Sequence, residues 1–207
     1  MKIGIEYEGV LLTKDNKPVK FSELDYNNIQ KPILKGYFNE YCCDGNDYLI
    51  EIRTLPHTSP DLLLNEFFFK KNRIEKLLKQ HGLKVAWTEM PVPAQKKGDK
   101  KDSKTQFLFD EKGVSYYECK DSKYRGGGMH INFDVYSSDT YPKNIKELFK
   151  MYYKVKYTES MFKFNSKYRN KLLFREHKFG YELMSVGFTL TNETKPEFRK
   201  LIHKIFS

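Results

Sequence analysis

Three segments of the chain alternate apolar and polar residues, and this pattern limits the fold more than any other feature of the sequence. In residues 2–9, 47–55 and 128–135, every second side chain is mostly apolar, and the residues between them include acids or a histidine. A period of two places neighbouring side chains on opposite faces of a β-strand. Each segment is therefore predicted to be a strand with one buried face and one polar face.

A long helix is predicted after the second of these strands. Ser59 suits the N-cap position and Pro60 the first helical position. Apolar residues then recur at helical spacing to about Gln80, and Gly82 supplies a C-terminal stop. The predicted apolar positions of this helix are Leu62, Leu63, Phe67, Ile74, Leu77 and Leu78.

The remaining predicted elements are two helices, at about 144–164 and 195–206, and several short strands. The strands are predicted at 83–87, 107–109, 114–117 and 179–190, the second and third forming a hairpin. Few strands are joined by helices at the spacing of a βαβ unit, so the sequence predicts an α+β fold with a mostly antiparallel sheet. Helices should pack on one sheet face and leave the other, polar face open. We expect a single domain over residues 1–207, with a flexible loop at about 91–104.

The charge of the chain is strongly basic, with a formal net charge of +10 and a pI near 9.3. Both a solvated Lys-rich surface and attraction to polyanions are consistent with this charge. Most Tyr and Phe residues fall at the buried phases of predicted strands and helices, and this placement makes a nucleic-acid interface the weaker interpretation.

Cysteine spacing and hydropathy indicate the compartment. Cys42, Cys43 and Cys119 form neither a zinc-binding spacing nor a disulfide framework. The first residues carry acids where a signal peptide needs an apolar run, and no stretch is long and apolar enough to span a membrane. We therefore expect a soluble, cytoplasmic protein with no membrane partner.

Polar residues of the alternating strands are candidates for a metal site. Glu6 and Glu8 lie two apart, so both carboxylates project from one strand face. Like charges side by side cost free energy unless cations neutralise them, and Mg²⁺ prefers such oxygen ligands. A solvated strand face is the alternative for this pair alone. Glu51 lies on the polar side of the second strand, and His130 and Asn132 share one face of the third.

Glycines and late arginines extend this set. Residues 126–128 are all Gly; they either let the backbone approach a ligand closely or form a turn before the strand. Arg169 and Arg175 precede Glu182, and arginine presents a planar fork to carboxylate or phosphate. Surface charge is the alternative for each arginine. Taken together, the acids, the histidine and the arginines predict a metal–nucleotide site in outline.

Four stretches carry a resemblance to a known superfamily. In chain order they are GIEYEG, YLIEIRTLP, GGGMHINF and FREHKFGYEL. Their order resembles that of glutamine synthetase-like carboxylate–amine ligases, with the closest resemblance to phage-type amidoligases and to glutamate–cysteine ligase relatives. GGGMHINF is similar to the Gly-x-Gly-x-His-x-(His/Asn) strand of glutamine synthetases. LIEIRTLP resembles the Glu-containing strand that precedes a Pro and a long helix in the amidoligases. The resemblance implies a glutamine synthetase-like catalytic fold.

The resemblance also implies roles for individual residues. The first-strand Glu-x-Glu and the second-strand acid of the family bind the catalytic metals, so Glu6, Glu8 and Glu51 are expected to be ligands. His130 is expected to bind metal near the nucleotide phosphates. The further implied contacts are Asn132 to nucleotide or substrate, Arg175 to the nucleotide and its transferring phosphate as a catalytic residue beside Glu51, and Glu182 to metal. Arg169 is a further candidate nucleotide contact from its arginine chemistry alone.

The implied activity is an ATP- and Mg²⁺-dependent ligation, with Mn²⁺ as an alternative metal. A small-molecule or peptide carboxylate is phosphorylated to an acyl phosphate, and an amine then displaces phosphate to form an amide. The sequence departs from the family at Met184, where members often carry an arginine, and in its short length. The alternatives are a catalytically degenerate ligase-fold binding protein, a metal-dependent hydrolase using the same acids and His130, and a basic nucleic-acid-binding protein.

Overall fold

The structure is a computed structural model that describes residues 2–34, 41–42, 47–87, 90–93, 106–110, 113–117, 124–125, 128–133, 172–177, 180–185, 190, 192 and 195–206. Its strands are Ile3–Thr13 (β1), Tyr41–Cys42 (β2), Leu49–Arg53 (β3), Leu83–Ala86 (β4), Met90–Pro91 (β5), Gln106–Asp110 (β6), Gly113–Tyr117 (β7), Tyr124–Arg125 (β8), Met129–Phe133 (β9), Leu172–His177 (β10) and Gly180–Ser185 (β11). Its α-helices are Lys31–Leu34 (α1), Pro60–Gln80 (α2) and Lys195–Phe206 (α3); a 3₁₀ turn (Phe21–Glu23) and a π-helical turn (Tyr26–Gln30) precede α1.

Nine of the described strands form one sheet in the order β2-β3-β1-β9-β11-β10-β6-β7, with β4 also pairing with β1. All these pairings are antiparallel, and β5 and β8 form a separate antiparallel pair. The sheet is open, and the same part of the chain also contains α-helices. The prediction of an α+β fold with a mostly antiparallel sheet is therefore confirmed for the part of the chain that is described.

One face of the sheet is apolar and carries the core. On β1, Ile3, Ile5 and Tyr7 are fully buried, as the period of two predicts. The neighbouring strands β3 and β9 add residues of the same phase. The strand residues of this core are Ile3, Ile5, Tyr7, Leu11, Ile50, Ile52, Met129 and Ile131, and its helix residues include Leu63, Leu64, Phe67, Ile74 and Leu78 from α2 and Phe198, Leu201, Ile202 and Ile205 from α3. Both long helices thus pack on the apolar face.

Local signals set both ends of α2. The Ser59 hydroxyl accepts the amide hydrogen of Leu62 at 3.5 Å, and Pro60 is the first helical residue. Just after the last residue, Gly82 adopts φ +73°, a left-handed conformation that favours glycine. The predicted bounds of this helix are confirmed.

Tyr7 joins β1 to two distant segments. Its hydroxyl donates to the carbonyl of Trp87 at 2.7 Å and accepts from the amide of Leu190 at 3.0 Å. Its ring stacks on that of Trp87, with centroids 5.1 Å apart and planes 18° apart. Complete burial raises the pKa of the Tyr7 phenol far above its ordinary value, although the Leu190 hydrogen bond opposes this. The phenol is thus a neutral, buried hydrogen-bonding group.

The opposite sheet face is polar in the middle and apolar at one end. Val10, Leu12 and Leu49 are buried there and pack with Ala86 and Val92. This small cluster lies at one end of the polar part of the face. The polar part consists of Glu6 and Glu8 of β1 and the residues of β3 and β9 that are paired with them.

Several sequence predictions need correction or lie outside the described residues. The strand Leu172–His177 was not predicted, because its first half is uniformly apolar and its second half is polar, so that no alternation appears. Leu62 is 58% exposed, so it does not belong to the buried stripe of α2. The predicted strand at 179–190 is seen as Gly180–Ser185, and the hairpin and the terminal helix are confirmed.

The predicted helix at 144–164 and most of the predicted loop at 91–104 lie outside the described residues. Of the helices that are described, none is both long and apolar enough to cross a membrane.

We expect Tyr7→Phe to lower the free energy of unfolding by about 1–3 kcal/mol, because the buried Trp87 carbonyl and Leu190 amide each lose a partner. Urea unfolding followed by far-UV circular dichroism measures the change. Tyr26→Phe is the matched control, since Tyr26 is 56% exposed and its substitution should change stability by less than about 0.5 kcal/mol. Equal effects of the two substitutions would contradict the role given to the Tyr7 hydroxyl.

Candidate metal and nucleotide site

Strand pairing brings the predicted acids and the histidine to one place on the polar sheet face. Glu6 of β1 lies opposite Arg53 of β3 on one side and opposite His130 of β9 on the other. Glu8 of β1 lies directly opposite Glu51 of β3. Residues paired in this way share a sheet face, with Cβ atoms roughly 4.5–5.5 Å apart. Four residues predicted separately from three strands are therefore neighbours.

Glu8 and Glu51 form a like-charged cross-strand pair. Such a pair destabilises a sheet, and the cost rises with burial because a low-dielectric surrounding strengthens the repulsion. Glu51 is only 1% exposed. A carboxylate at this position therefore needs cationic compensation.

Arg53 supplies part of this compensation. Its Nε and Nη2 donate to the two carboxylate oxygens of Glu51 at 2.9 and 3.2 Å, a bidentate fork. The same Nε lies 3.7 Å from Oε1 of Glu6. Sequence reasoning missed this arginine, although a signal was present: Arg53 and Glu51 are two residues apart on a strand and so share a face.

Glu6 connects the arginine to the histidine. Its Oε2 lies 3.5 Å from Nδ1 of His130, while its Oε1 faces Arg53. The His130 side chain is only 8% exposed and that of Glu6 is 27% exposed. The polar face is therefore more enclosed at His130 than the prediction of an open face implied.

Gly128 comes directly before β9, the strand that carries His130, and packing requires the absence of a side chain there. A Cβ atom at this position would lie 2.7 Å from Oε2 of Glu8 and 3.2 Å from Nε2 of His130. The amide of Glu8 also donates to the carbonyl of Gly128 at 3.0 Å. The absence of a side chain at Gly128 thus lets the backbone just before β9 pass close to the side chains of Glu8 and His130.

Strands β11 and β10 continue the same sheet face by register. Glu182 of β11 is paired with Asn132 of β9 and with Arg175 of β10. Met184, the departure from the ligase pattern, is paired with His130. Arg175 and Glu182 are thus placed on the sheet face that carries Glu6 and His130. Arg169 lies outside the described residues.

A buried ionic cluster holds the chain directly after Arg53. Lys70 of α2 donates to the carbonyl of Arg53 at 2.7 Å and pairs with Glu66 at 2.5 Å. Glu66 also accepts from the amide of Leu55 at 3.1 Å and contacts the ring of His57. Burial by itself raises the pKa of Glu66, but the hydrogen bonds from Lys70, His57 and Leu55 outweigh it, so the pKa lies below its ordinary value. The cluster fixes the backbone from which Arg53 extends.

The donor atoms of this face fit a hard divalent cation in type but do not form a coordination shell. Carboxylates and an imidazole are suitable ligands. Within the described ranges, however, no three His, Cys, Asp or Glu side chains are placed together so as to hold a metal ion. The Glu51 carboxylate instead faces the Arg53 guanidinium, with Oε1 2.9 Å from Nε.

The sequence matches none of the protein-family models and none of the curated proteins with which it was compared. The resemblance to carboxylate–amine ligases therefore rests on the four stretches and stays a prediction.

We expect Gly128→Ala to disturb the site while leaving the fold intact. The added methyl group must displace the Glu8 carboxylate and the His130 ring, but the φ angle of Gly128 is not in the left-handed region. Stability should change by less than about 1 kcal/mol, and the ring resonances of His130 should shift in NMR spectra. Gly4→Ala is the control on the same sheet face, since its methyl group would meet only atoms 3.7 Å or more away. A His130 spectrum that responds equally to both substitutions would argue against this close approach.

The lowered pKa of Glu66 predicts how its contribution depends on pH. A carboxyl group with a depressed pKa in the folded state stabilises the fold above its unfolded value of about 4.5, and this contribution is lost as pH falls through the folded pKa. Glu66→Gln should therefore cost about 2 kcal/mol at pH 7 and progressively less below pH 4.5. Urea unfolding at several pH values measures this. Glu23→Gln, at a side chain that is 60% exposed, should show little effect at any pH. A Glu66→Gln cost that does not change with pH would refute the assignment.

Proposed function

We propose that the protein is an ATP- and Mg²⁺-dependent carboxylate–amine ligase with a glutamine synthetase-like fold. One observation carries the proposal: Glu8 and Glu51 lie directly opposite each other, with Glu6 and His130 beside them, on the sheet face away from the helices. Stability of the sheet does not by itself account for this arrangement, because apolar residues of similar volume would stabilise the sheet as well or better.

The chemistry of the side chains supports cation binding at this face. The carboxylates of Glu6, Glu8 and Glu51 share it, and oxygen ligands of this kind suit a hard divalent cation. Glu6, Glu8, Glu51 and His130 would hold Mg²⁺ or Mn²⁺, and Glu182 reaches the same face by register. The bound metal would supply charge neutralisation to the phosphates of ATP.

The neighbouring positions suit a nucleotide. Asn132 lies two residues after His130 and on the same strand face. Arg175 lies on this face by register, and its guanidinium chemistry suits a transferring phosphoryl group. Arg169 is a second candidate contact to the nucleotide, and this role is proposed from the sequence alone.

The proposed reaction joins a small-molecule or peptide carboxylate to an amine. ATP would supply the phosphoryl group that converts the carboxylate to an acyl phosphate, and the amine would then displace phosphate to leave an amide. The chain would contribute by positioning the reactants and stabilising developing negative charge. Met184 stands where the ligase pattern often has arginine, so a different residue must complete the phosphate contacts.

An ADP-release assay tests the proposal. With Mg²⁺ and ATP, a panel of carboxylates and amines should give ADP and an amide product detectable by mass spectrometry. Glu8→Gln should lower the rate at least about 100-fold because it removes a charge from the cation site. Glu23→Gln, an exposed acid away from the site, should leave the rate unchanged.

The outcomes separate the ligase from its alternatives. Nucleotide binding without ADP release over the whole panel would favour a degenerate ligase-fold binding protein. Metal-dependent hydrolysis of a substrate without ATP consumption would favour a hydrolase that uses the same acids. Either result would overturn the ligase proposal.

A further inference from the structure

Arg53 stands where a cation is most needed on the polar face. Its guanidinium forms a two-point contact with Glu51 and lies 3.7 Å from Glu6, so one positive charge faces two carboxylates. Both acids are predicted metal ligands. A guanidinium and a divalent cation would therefore compete for the same oxygens.

The two partners of this contact differ in exposure. The side chain of Glu51 is 2% exposed, whereas that of Arg53 is 41% exposed. The backbone of Arg53 is held by Lys70, and the next residue, Thr54, exchanges hydrogen bonds with Ile5 at 2.8 and 2.9 Å. The arginine is thus anchored at its base, and its side chain is the solvent-facing partner of the contact.

We infer that Arg53 is a built-in counter-cation, which holds the Glu51 and Glu6 carboxylates in the metal-free protein and releases them when a divalent cation binds. The inference rests on the proposed function, because it assigns a regulatory step to the same site. It explains how a buried acid opposite another acid is tolerated during folding, before any metal is present. It also raises the cation concentration that is needed to fill the site, since the cation must displace a two-point charged contact.

Release also places a guanidinium at the exposed side of the site. Arginine recognises carboxylate and phosphate groups through the same planar fork that it uses on Glu51. The released Arg53 is then available to an anionic group of the substrate or nucleotide. Binding of the metal and binding of the anion would therefore be positively coupled.

The test uses Arg53→Gln and measures metal binding without turnover. Isothermal titration with Mg²⁺ alone should give a roughly tenfold lower Kd for Arg53→Gln than for the unaltered chain, because the competing cation is gone. Without metal, the same substitution should lower the Tm by roughly 5 °C, and added Mg²⁺ should restore most of that loss. Lys79→Gln, at an exposed lysine on α2, should change neither quantity.

A second variant keeps the test decisive if Arg53→Gln does not fold. Arg53→Lys retains the charge but loses the fork, so it should by itself give a lower Kd than the unaltered chain. If the unaltered chain binds Mg²⁺ and both substitutions leave the Kd unchanged or raise it, Arg53 is not displaced and the inference fails, while the proposed function stands. If none of the proteins binds Mg²⁺ or Mn²⁺, the proposed function fails and the inference fails with it.

Discussion

The pairing of β1 with β3 on one edge and β9 on the other is the constraint on which both faces of the sheet depend. Because strand residues alternate, the register that sends Ile3, Ile5 and Tyr7 to the helices also sends Glu6 and Glu8 to the polar face. A shift by one residue would place the carboxylates in the core. The buried face therefore stabilises the arrangement of the site, and the hydrogen bonds of Tyr7 to Trp87 and Leu190 add to that stability.

The polar face carries an electrostatic cost that the chain offsets locally. Repulsion between Glu8 and Glu51 is reduced by the fork from Arg53, and the base of Arg53 is held by Lys70. Gly128 removes the steric conflict that a side chain would create with Glu8. Such local compensation for an unfavourable charge pair is typical of functional sites, where burial and neighbouring charges are arranged for chemistry rather than for stability.

Local signals in the sequence were sufficient for much of the fold. Ser59, Pro60 and Gly82 define α2 because caps act within one helical turn, and period-two alternation sorts the residues of β1, β3 and β9 onto two faces. The strand Leu172–His177 was missed because its apolar residues are adjacent rather than alternating in its first half. Arg53 was missed as a site residue although its spacing from Glu51 placed both on one face; only its contact with Glu6 joins residues that are distant in sequence.

The sequence by itself determined which residues share a face within each strand, where the long helix begins and ends, and which side chains have metal- or phosphate-binding chemistry. Only the tertiary structure decided that Glu8 faces Glu51, that Glu6 lies between Arg53 and His130, and that Gly128 lies close to Glu8. The physical reason is that alternation and capping are set by neighbouring residues, whereas register between distant strands is set by how the whole buried face packs.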